Sequence, residues 1–241
     1  MSEKSSKDFE FRIDDLQTDG LKLKQNPSFY CFNCDSVMLA NLVKVTGKSK
    51  ALELGAGSGV ISVLLTGKRK LKHITAVEKQ EEMFALLKEN VSINNLSDKI
   101  EILNADISEL EKYYSRESFD LVVCNPPYEK ATGRNSVTDN CRSENLATVG
   151  DFIVAASKML MFGKDFYMVC KMRRLQEVMA LLSKHNLAVK ELIIVYPKAD
   201  KEADTFIVRA VKGGKEELRS DYIVQYNGDG TMTQKFKGLY K

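Results

Sequence analysis

From Lys50 onward, short apolar runs alternate with stretches whose apolar residues recur every three to four positions. The pattern predicts strands over Ala51 to Leu54, Ile74 to Val77, Ile100 to Leu103 and Leu121 to Cys124. Between the first pairs it predicts helices, one opening over Val60 to Leu65 and one over Glu81 to Asn94. The second carries Met83, Leu86, Leu87 and Val91 on one face. Near-continuous apolar strands separated by helical or short connecting segments imply a parallel sheet covered on both faces. A polar run from Glu129 to Asn145, with Gly133, Asn135, Asp139 and Asn140, predicts a loop. The pattern then resumes with a helix around Phe152 to Leu160, a strand around Phe166 to Cys170 and a helix near Leu175 to Leu182. Strands near Leu192 to Tyr196 and Phe206 to Val211 leave little room for a crossover helix, which predicts an antiparallel arrangement. A strand over Tyr222 to Tyr226 and a turn at Asn227-Gly228-Asp229-Gly230 follow.

Ahead of the first strand, Gln17-Thr18-Asp19-Gly20-Leu21 reads as a turn leading into a short extended piece. Asp35 to Leu42 reads as a helix, with Asn33 or Asp35 available as its cap. Residues 1–45 are too few for a domain and are expected to pack as an extension on the sheet, leaving 46–241 as one domain. The fold expected is α/β: a mostly parallel, twisted sheet with antiparallel C-terminal strands.

Composition narrows the class. The chain has 241 residues, 44% hydrophobic and 29% charged, which suits a single soluble domain. No apolar run approaches the roughly 20 residues that cross a bilayer, so no membrane partner is expected. The first residues, Met1 to Asp8, lack the apolar core of a secretion signal, so a cytoplasmic location is expected. A net charge of +3 only mildly favours a polyanionic partner. Cys31 and Cys34 form a C-x-x-C, yet no second pair stands at zinc-ribbon spacing and the only histidines are His73 and His185. Reduced thiols and no metal are expected. Two isolated histidines also leave little material for a Ser-His-Asp or metal-hydrolase site.

Two strand ends carry chemistry. Leu52-Glu53-Leu54-Gly55-Ala56-Gly57-Ser58-Gly59 places glycines where a strand turns into a helix, so that backbone N–H groups can approach a nucleotide-like ligand. Gly55, Ala56, Gly57 and Gly59 are therefore cofactor candidates. Glu78 ends the next strand, where a carboxylate accepts both hydroxyls of a ribose. That much fits NAD and S-adenosylmethionine equally. Glu53 beside the loop suits the ammonium of a methionine moiety, and Asp106 after the third strand suits an adenine amino group. Both favour S-adenosylmethionine.

The fourth strand runs into Asn125-Pro126-Pro127-Tyr128. Amino groups on adenine and amides of glutamine are weak nucleophiles because the nitrogen lone pair is delocalised. A site that accepts both N–H hydrogens favours a pyramidal nitrogen. The Asn125 side-chain oxygen is one such acceptor and the Pro126 carbonyl a second. Pro126 and Pro127 stiffen the backbone, and Tyr128 can stack on a planar acceptor. These four are the catalytic candidates, with Asn125 also facing the cofactor.

Gly55-Ala56-Gly57-Ser58-Gly59 with Asn125-Pro126-Pro127-Tyr128 resembles the class I amino-methyltransferases, which share a Rossmann-like fold and act on adenine, guanine or glutamine nitrogens. Further stretches resemble the bacterial tRNA(Val) adenine-37 N6-methyltransferase family: Asp19-Gly20-Leu21, Phe32 to Ala40, Arg142-Ser143-Glu144, Pro197 to Ala203 and Tyr226 to Gly230. The resemblance spans roughly residues 15 to 235. Cys141 stands where that family has alanine, Ser143 where it has histidine, and Asn33-Cys34 where it has Ser-Ile. The resemblance implies S-adenosylmethionine as cofactor and an anticodon-loop adenine of a tRNA as acceptor. The alternatives are glutamine N5-methylation of a release factor, whose family carries a larger N-terminal domain, and another RNA or DNA amino-methylation. Candidate phosphate contacts are Lys68-Arg69-Lys70, Lys130, Lys171 and Arg173-Arg174.

Overall fold

Side chains along the central strands divide between two cores. The structure is a computed structural model and describes residues 11–16, 18–27, 34–46, 49–129 and 144–240. In chain order its strands are β1 (Arg12–Asp15), β2 (Lys22–Gln25), β3 (Lys50–Leu54), β4 (His73–Glu78), β5 (Ile100–Asn104), β6 (Phe119–Cys124), β7 (Leu160–Lys171), β8 (Leu187–Lys198), β9 (Thr205–Lys212) and β10 (Arg219–Tyr226). The helices are α1 (Cys34–Leu42), α2 (Val60–Val63, continuing as a π turn over Leu64–Lys68), α3 (Glu81–Ile93), α4 (Val149–Met159), α5 (Leu175–Lys184) and α6 (Gln234–Gly238).

Eight strands form one sheet in the order β10-β8-β9-β7-β6-β3-β4-β5. Ala51, Leu121, Val123, Tyr167 and Val169 face a core built with α1, α2 and α3. Their neighbours Leu52, Leu54, Val122, Cys124, Phe166 and Met168 face the opposite core with α4 and α5. Alternation with both faces buried is why these strands read as unbroken apolar runs. Of the strands beyond β7, β9 is the reversed one, pairing antiparallel with β7 and β8, while β10 pairs parallel with β8.

Strands β7, β8 and β10 begin earlier than the apolar pattern indicates. β7 begins at Leu160, and its Phe162 to Lys164 are exposed, so no buried face marks them in the sequence. β1 also went unmarked, because Ile13 is exposed and its other residues are charged.

The β1–β2 hairpin docks on α3 through two asparagines one helical turn apart. Lys22 and Lys24 donate their backbone N–H groups to Asn94 Oδ1 and Asn90 Oδ1 at 2.9 and 2.6 Å. The Nδ2 atoms of the same asparagines return bonds to the carbonyls of Lys22 and Lys24 at 2.7 and 3.0 Å. Residues four apart on a helix lie on one face at nearly the spacing of residues two apart on a strand, so the pair imitates a strand edge. No helix among the described residues is long and apolar enough to cross a membrane.

Candidate active site

The strand order reverses direction at β3. From there the chain builds outward through β4 and β5, whereas β6 lies on the other flank. In such sheets ligands bind in the crevice beyond the carboxyl ends of the strands at the switch point. A cleft opens there, with an empty volume of about 880 Å³ including the open space at its mouth. Its walls bring together Glu53, Gly55, Ala56 and Gly57 from the end of β3, Glu78 from β4, Asp106 after β5, and Asn125 and Pro127 after β6. Gly59, Pro126 and Tyr128 are not among the residues lining it.

The glycines have separate reasons. Gly55, Gly57 and Gly59 all adopt positive φ, at 65°, 55° and 87°. A Cβ on Gly55 would also meet Phe152 Cε1 at 2.9 Å, and one on Gly59 would overlap Leu87 Cδ1. At Gly57 the nearest atom would be Met83 Cε at 3.7 Å, which is ordinary contact. Gly57 is thus left open toward the cleft, while the other two serve the packing of the turn.

Glu78 is buried, and its two oxygens accept from the backbone N–H groups of Gly57 and Gln80, each at 2.8 Å. Burial raises its pKa against those bonds. Each oxygen keeps a further lone pair, which suits a ligand carrying two adjacent hydroxyls. Glu53 is also buried, and its Oε2 accepts from both the backbone N–H and the hydroxyl of Ser62. Burial, only partly offset by Ser62, pushes its pKa up to about 8. A cationic ligand is the natural complement of such a carboxyl. Asp106 differs. Partial burial pushes its pKa up, but the Lys79 ammonium and the Ser108 N–H and hydroxyl outweigh that and hold it below the usual range. Its Oδ1 caps the 3-10 turn over Ile107–Lys112 and its Oδ2 pairs with Lys79 at 2.7 Å. It reaches the cleft as an already engaged carboxylate.

In Asn125-Pro126-Pro127-Tyr128, Asn125 Nδ2 donates to Ser36 Oγ at 2.8 Å. Asn125 Oδ1 is buried and has no hydrogen-bond partner among the described residues. An unsatisfied buried acceptor costs about 1–3 kcal/mol, which a donor arriving in the cleft recovers. Tyr128 sits deeper than the stacking expectation has it. It is buried in the α4–α5 core, its hydroxyl donates to Asp35 Oδ2 at 3.3 Å, and Lys171 Nζ lies 5.4 Å from its ring centroid.

The basic residues offered as phosphate contacts are mostly engaged within the fold. Lys171 is largely buried, bonding Asp204 at 2.7 Å, Thr205 at 3.1 Å and Asp35 at 3.3 Å. Arg174 pairs with Glu144 at 2.9 Å and Glu177 at 2.7 Å. Lys68 and Arg69 donate to the carbonyls of Leu239 and Val43. Lys70 pairs with Asp19 at 3.4 Å. Arg173 is over half exposed and shares its charge with Glu129 at 3.0 Å. Apart from Glu177, three residues from Arg174, these carboxylates are remote in sequence, so a local reading of the basic runs misses them. Lys130, Arg142, Ser143, Cys31, Asn33 and Cys141 lie outside the described residues. Among the described residues, no group of three or more His, Cys, Asp or Glu could hold a metal ion.

Sequence reasoning missed Ser36, whose only signal was its place in the first turn of a helix expected near the sheet end. It also missed Phe152, which lines the cleft and reads in the sequence as one more apolar residue of α4.

The chain is similar to a tRNA1(Val) (adenine(37)-N6)-methyltransferase of Actinobacillus pleuropneumoniae serotype 7, at 23% identity over 87% of this chain and 88% of that one. The protein of the same name from Shewanella sp. (strain MR-4) is 24% identical over 96% of this chain and 95% of its own length. Among solved structures, "a predicted O-methyltransferase, protein Atu636 from Agrobacterium tumefaciens" superposes with a TM-score of 0.71 and 22% identity, covering 86% of this chain and 95% of that one, a likeness of fold. The sequence profile of the methyltransferase small domain matches residues 28–192, more than half of the chain, and thus this chain belongs to the methyltransferase small domain family.

Proposed function

We propose that this chain is an S-adenosylmethionine-dependent N6-methyltransferase acting on an adenine of tRNA, at position 37 of the anticodon loop of a tRNA(Val). The observation that carries the acceptor chemistry is Asn125 Oδ1, a buried acceptor without a partner among the described residues, in the same cleft as two buried carboxylates. The name shared by full-length relatives supports the substrate. The cleft suits the cofactor. Glu78 is left with lone pairs for two ribose hydroxyls, Glu53 complements an ammonium, and Gly55, Ala56 and Gly57 let the backbone approach, while Gly59 shapes the turn behind them. When bound, S-adenosylmethionine supplies an electrophilic methyl group.

The residues of the chain do the rest. Asn125 Oδ1 accepts a hydrogen of the adenine amino group, which favours a pyramidal nitrogen with its lone pair turned outward. No strong base is needed, because the proton is shed only after the nitrogen has become cationic. A base in a loop is exposed at little cost, whereas a paired base must first be unstacked. Residues 46–241 form the catalytic domain in this reading, and residues 1–45 an extension that contributes Ser36 to the cleft. A tRNA substrate is in keeping with a cytoplasmic location.

The test is transfer of labelled methyl to unmodified tRNA(Val), with mass spectrometry locating N6-methyladenosine. Asn125→Ala is expected to lower the rate by about 10²–10³-fold, as for other electrostatic contacts of this kind, while cofactor binding persists. Binding to RNA is expected to weaken as salt rises. Methylation of a release-factor glutamine with every tRNA left unmodified would establish the rival acceptor and overturn the substrate assignment.

A further inference from the structure

Helix α1 is buried on every side. Asp35 to Asn41 are all out of solvent, and three of them are polar. Asn41 turns back onto its own helix, donating to the Val37 carbonyl at 2.8 Å. The other two reach the acceptor motif. Asp35 takes the Tyr128 hydroxyl at 3.3 Å and Ser36 takes Asn125 Nδ2 at 2.8 Å. Successive residues of one helical turn therefore hold the last and first residues of Asn125-Pro126-Pro127-Tyr128. Ser36 is 4% exposed and lines the cleft beside Asn125.

A side-chain amide is nearly symmetric in shape and opposite in hydrogen-bonding sense at its two ends. Half a turn about its last bond exchanges an acceptor for two donors. At the cleft wall that exchange matters, since an incoming amino group meets either an oxygen or another N–H. Pro126 fixes the backbone next to Asn125 but has no hold on the amide rotation. We propose that Ser36 is a positioning residue for methyl transfer: its oxygen accepts from Asn125 Nδ2, which holds the amide at the cleft wall in the orientation that leaves Asn125 Oδ1 to the amino group being methylated. This rests on the reading of Asn125 as the acceptor of that amino group. Ser36 acts through Asn125, so its loss falls on turnover and not on cofactor affinity.

The experiment compares Ser36→Ala and Ser36→Thr, each with Asn125 and with Asn125→Asp. A carboxylate has an oxygen at both ends, so its rotation changes nothing at the cleft. In the Asn125 protein, Ser36→Ala is expected to lower kcat by at least about tenfold, with cofactor affinity within about threefold, and Ser36→Thr to restore most of the rate. In the Asn125→Asp protein, Ser36→Ala is expected to change the residual rate by less than about twofold, the signature of a coupled pair. Equal factors in the two backgrounds, equal loss in Ser36→Thr and Ser36→Ala, or no loss at all would overturn the proposal.

A second readout does not depend on activity. In side-chain amide NMR spectra, the Asn125 signal is identified by its disappearance in Asn125→Asp. Its protons are expected to exchange slowly in the wild type and in Ser36→Thr, and at least about tenfold faster in Ser36→Ala. Unchanged exchange in Ser36→Ala would sink the proposal even if rates fell. Should the wild-type protein methylate no RNA while the exchange pattern holds, the substrate reading fails and the positioning role stands.

Discussion

Ser62 gives both its backbone N–H and its hydroxyl to the same oxygen of Glu53, tying the first helix after the glycine loop to the strand before it. Even so, burial leaves the Glu53 carboxyl with a pKa of about 8. At neutral pH the free protein therefore holds a proton that a cationic ligand must displace. Cofactor affinity is expected to rise with pH up to about 8 and then level off, with proton release on binding below that point. Calorimetry in buffers of different ionisation enthalpy measures the released proton. Glu53→Gln is expected to abolish the release. The stability of the ligand-free protein runs the other way. A carboxyl that binds its proton more tightly folded than unfolded contributes fully below the ordinary carboxylate range, and that contribution is lost as pH rises toward 8.

Much of this cleft is legible in the sequence because strand ends announce themselves. An apolar run followed by glycines, or by Asn-Pro-Pro, fixes where a strand stops, and a parallel sheet brings such ends together. Glu53, Glu78, Asp106 and Asn125 meet for that reason. Contacts across long separations carry no local mark. Ser36 lies 89 positions from Asn125, and Asp35 lies 136 from Lys171. Lys171 and Arg174 look like exposed charge in the sequence, and only the fold shows which carboxylates enclose them. Tyr128 reads as a ring at a sheet lip, yet its apolar face is absorbed by the α4–α5 core.

Arg174 and Glu144 form a pair with side chains about one-tenth exposed, and Arg174 also donates to the Tyr128 carbonyl at 3.4 Å. Replacing one member strands the other away from water, which costs about 3–5 kcal/mol. Arg174→Met is expected to lower the melting temperature by about 10 °C for a chain of this size. Arg174→Lys recovers little, since an ammonium cannot serve Glu144, Glu177 and the carbonyl in one plane. Calorimetric melting of the three proteins checks this.

Tyr128→Phe removes a hydroxyl bonded to Asp35 but leaves Asp35 its Lys171 partner. The expected cost is about 1 kcal/mol, read as a lower urea midpoint at unchanged slope. Tyr128→Ala empties a buried site and is expected to cost about 3–5 kcal/mol. If stacking on the acceptor were the chief role of the ring, Tyr128→Ala would lose activity without that loss of stability.

Gly57 and Gly59 stand two residues apart in one loop and are expected to respond differently to the same substitution. Both have positive φ, so alanine at either pays roughly 1–2 kcal/mol for the left-handed conformation. At Gly59 the new methyl also overlaps Leu87 Cδ1, and Leu87 is fully buried. Gly59→Ala should therefore lose stability beyond the conformational term, and Gly59→Ala with Leu87→Ala should not simply add the two single costs, because removing Leu87 relieves the overlap. At Gly57 the methyl has room, since Met83 Cε lies 3.7 Å away, but it projects where the cleft is lined. Gly57→Ala is expected to fold with only the conformational loss and to bind cofactor at least about tenfold more weakly, through crowding of the ligand and a shift of the N–H held by Glu78. Melting curves with and without cofactor separate the two. For Gly59→Ala the curve falls in both conditions with the ligand-induced gain retained, whereas for Gly57→Ala the gain itself shrinks. A Gly57→Ala protein that kept the full ligand-induced gain would show that the cofactor does not approach this stretch of backbone.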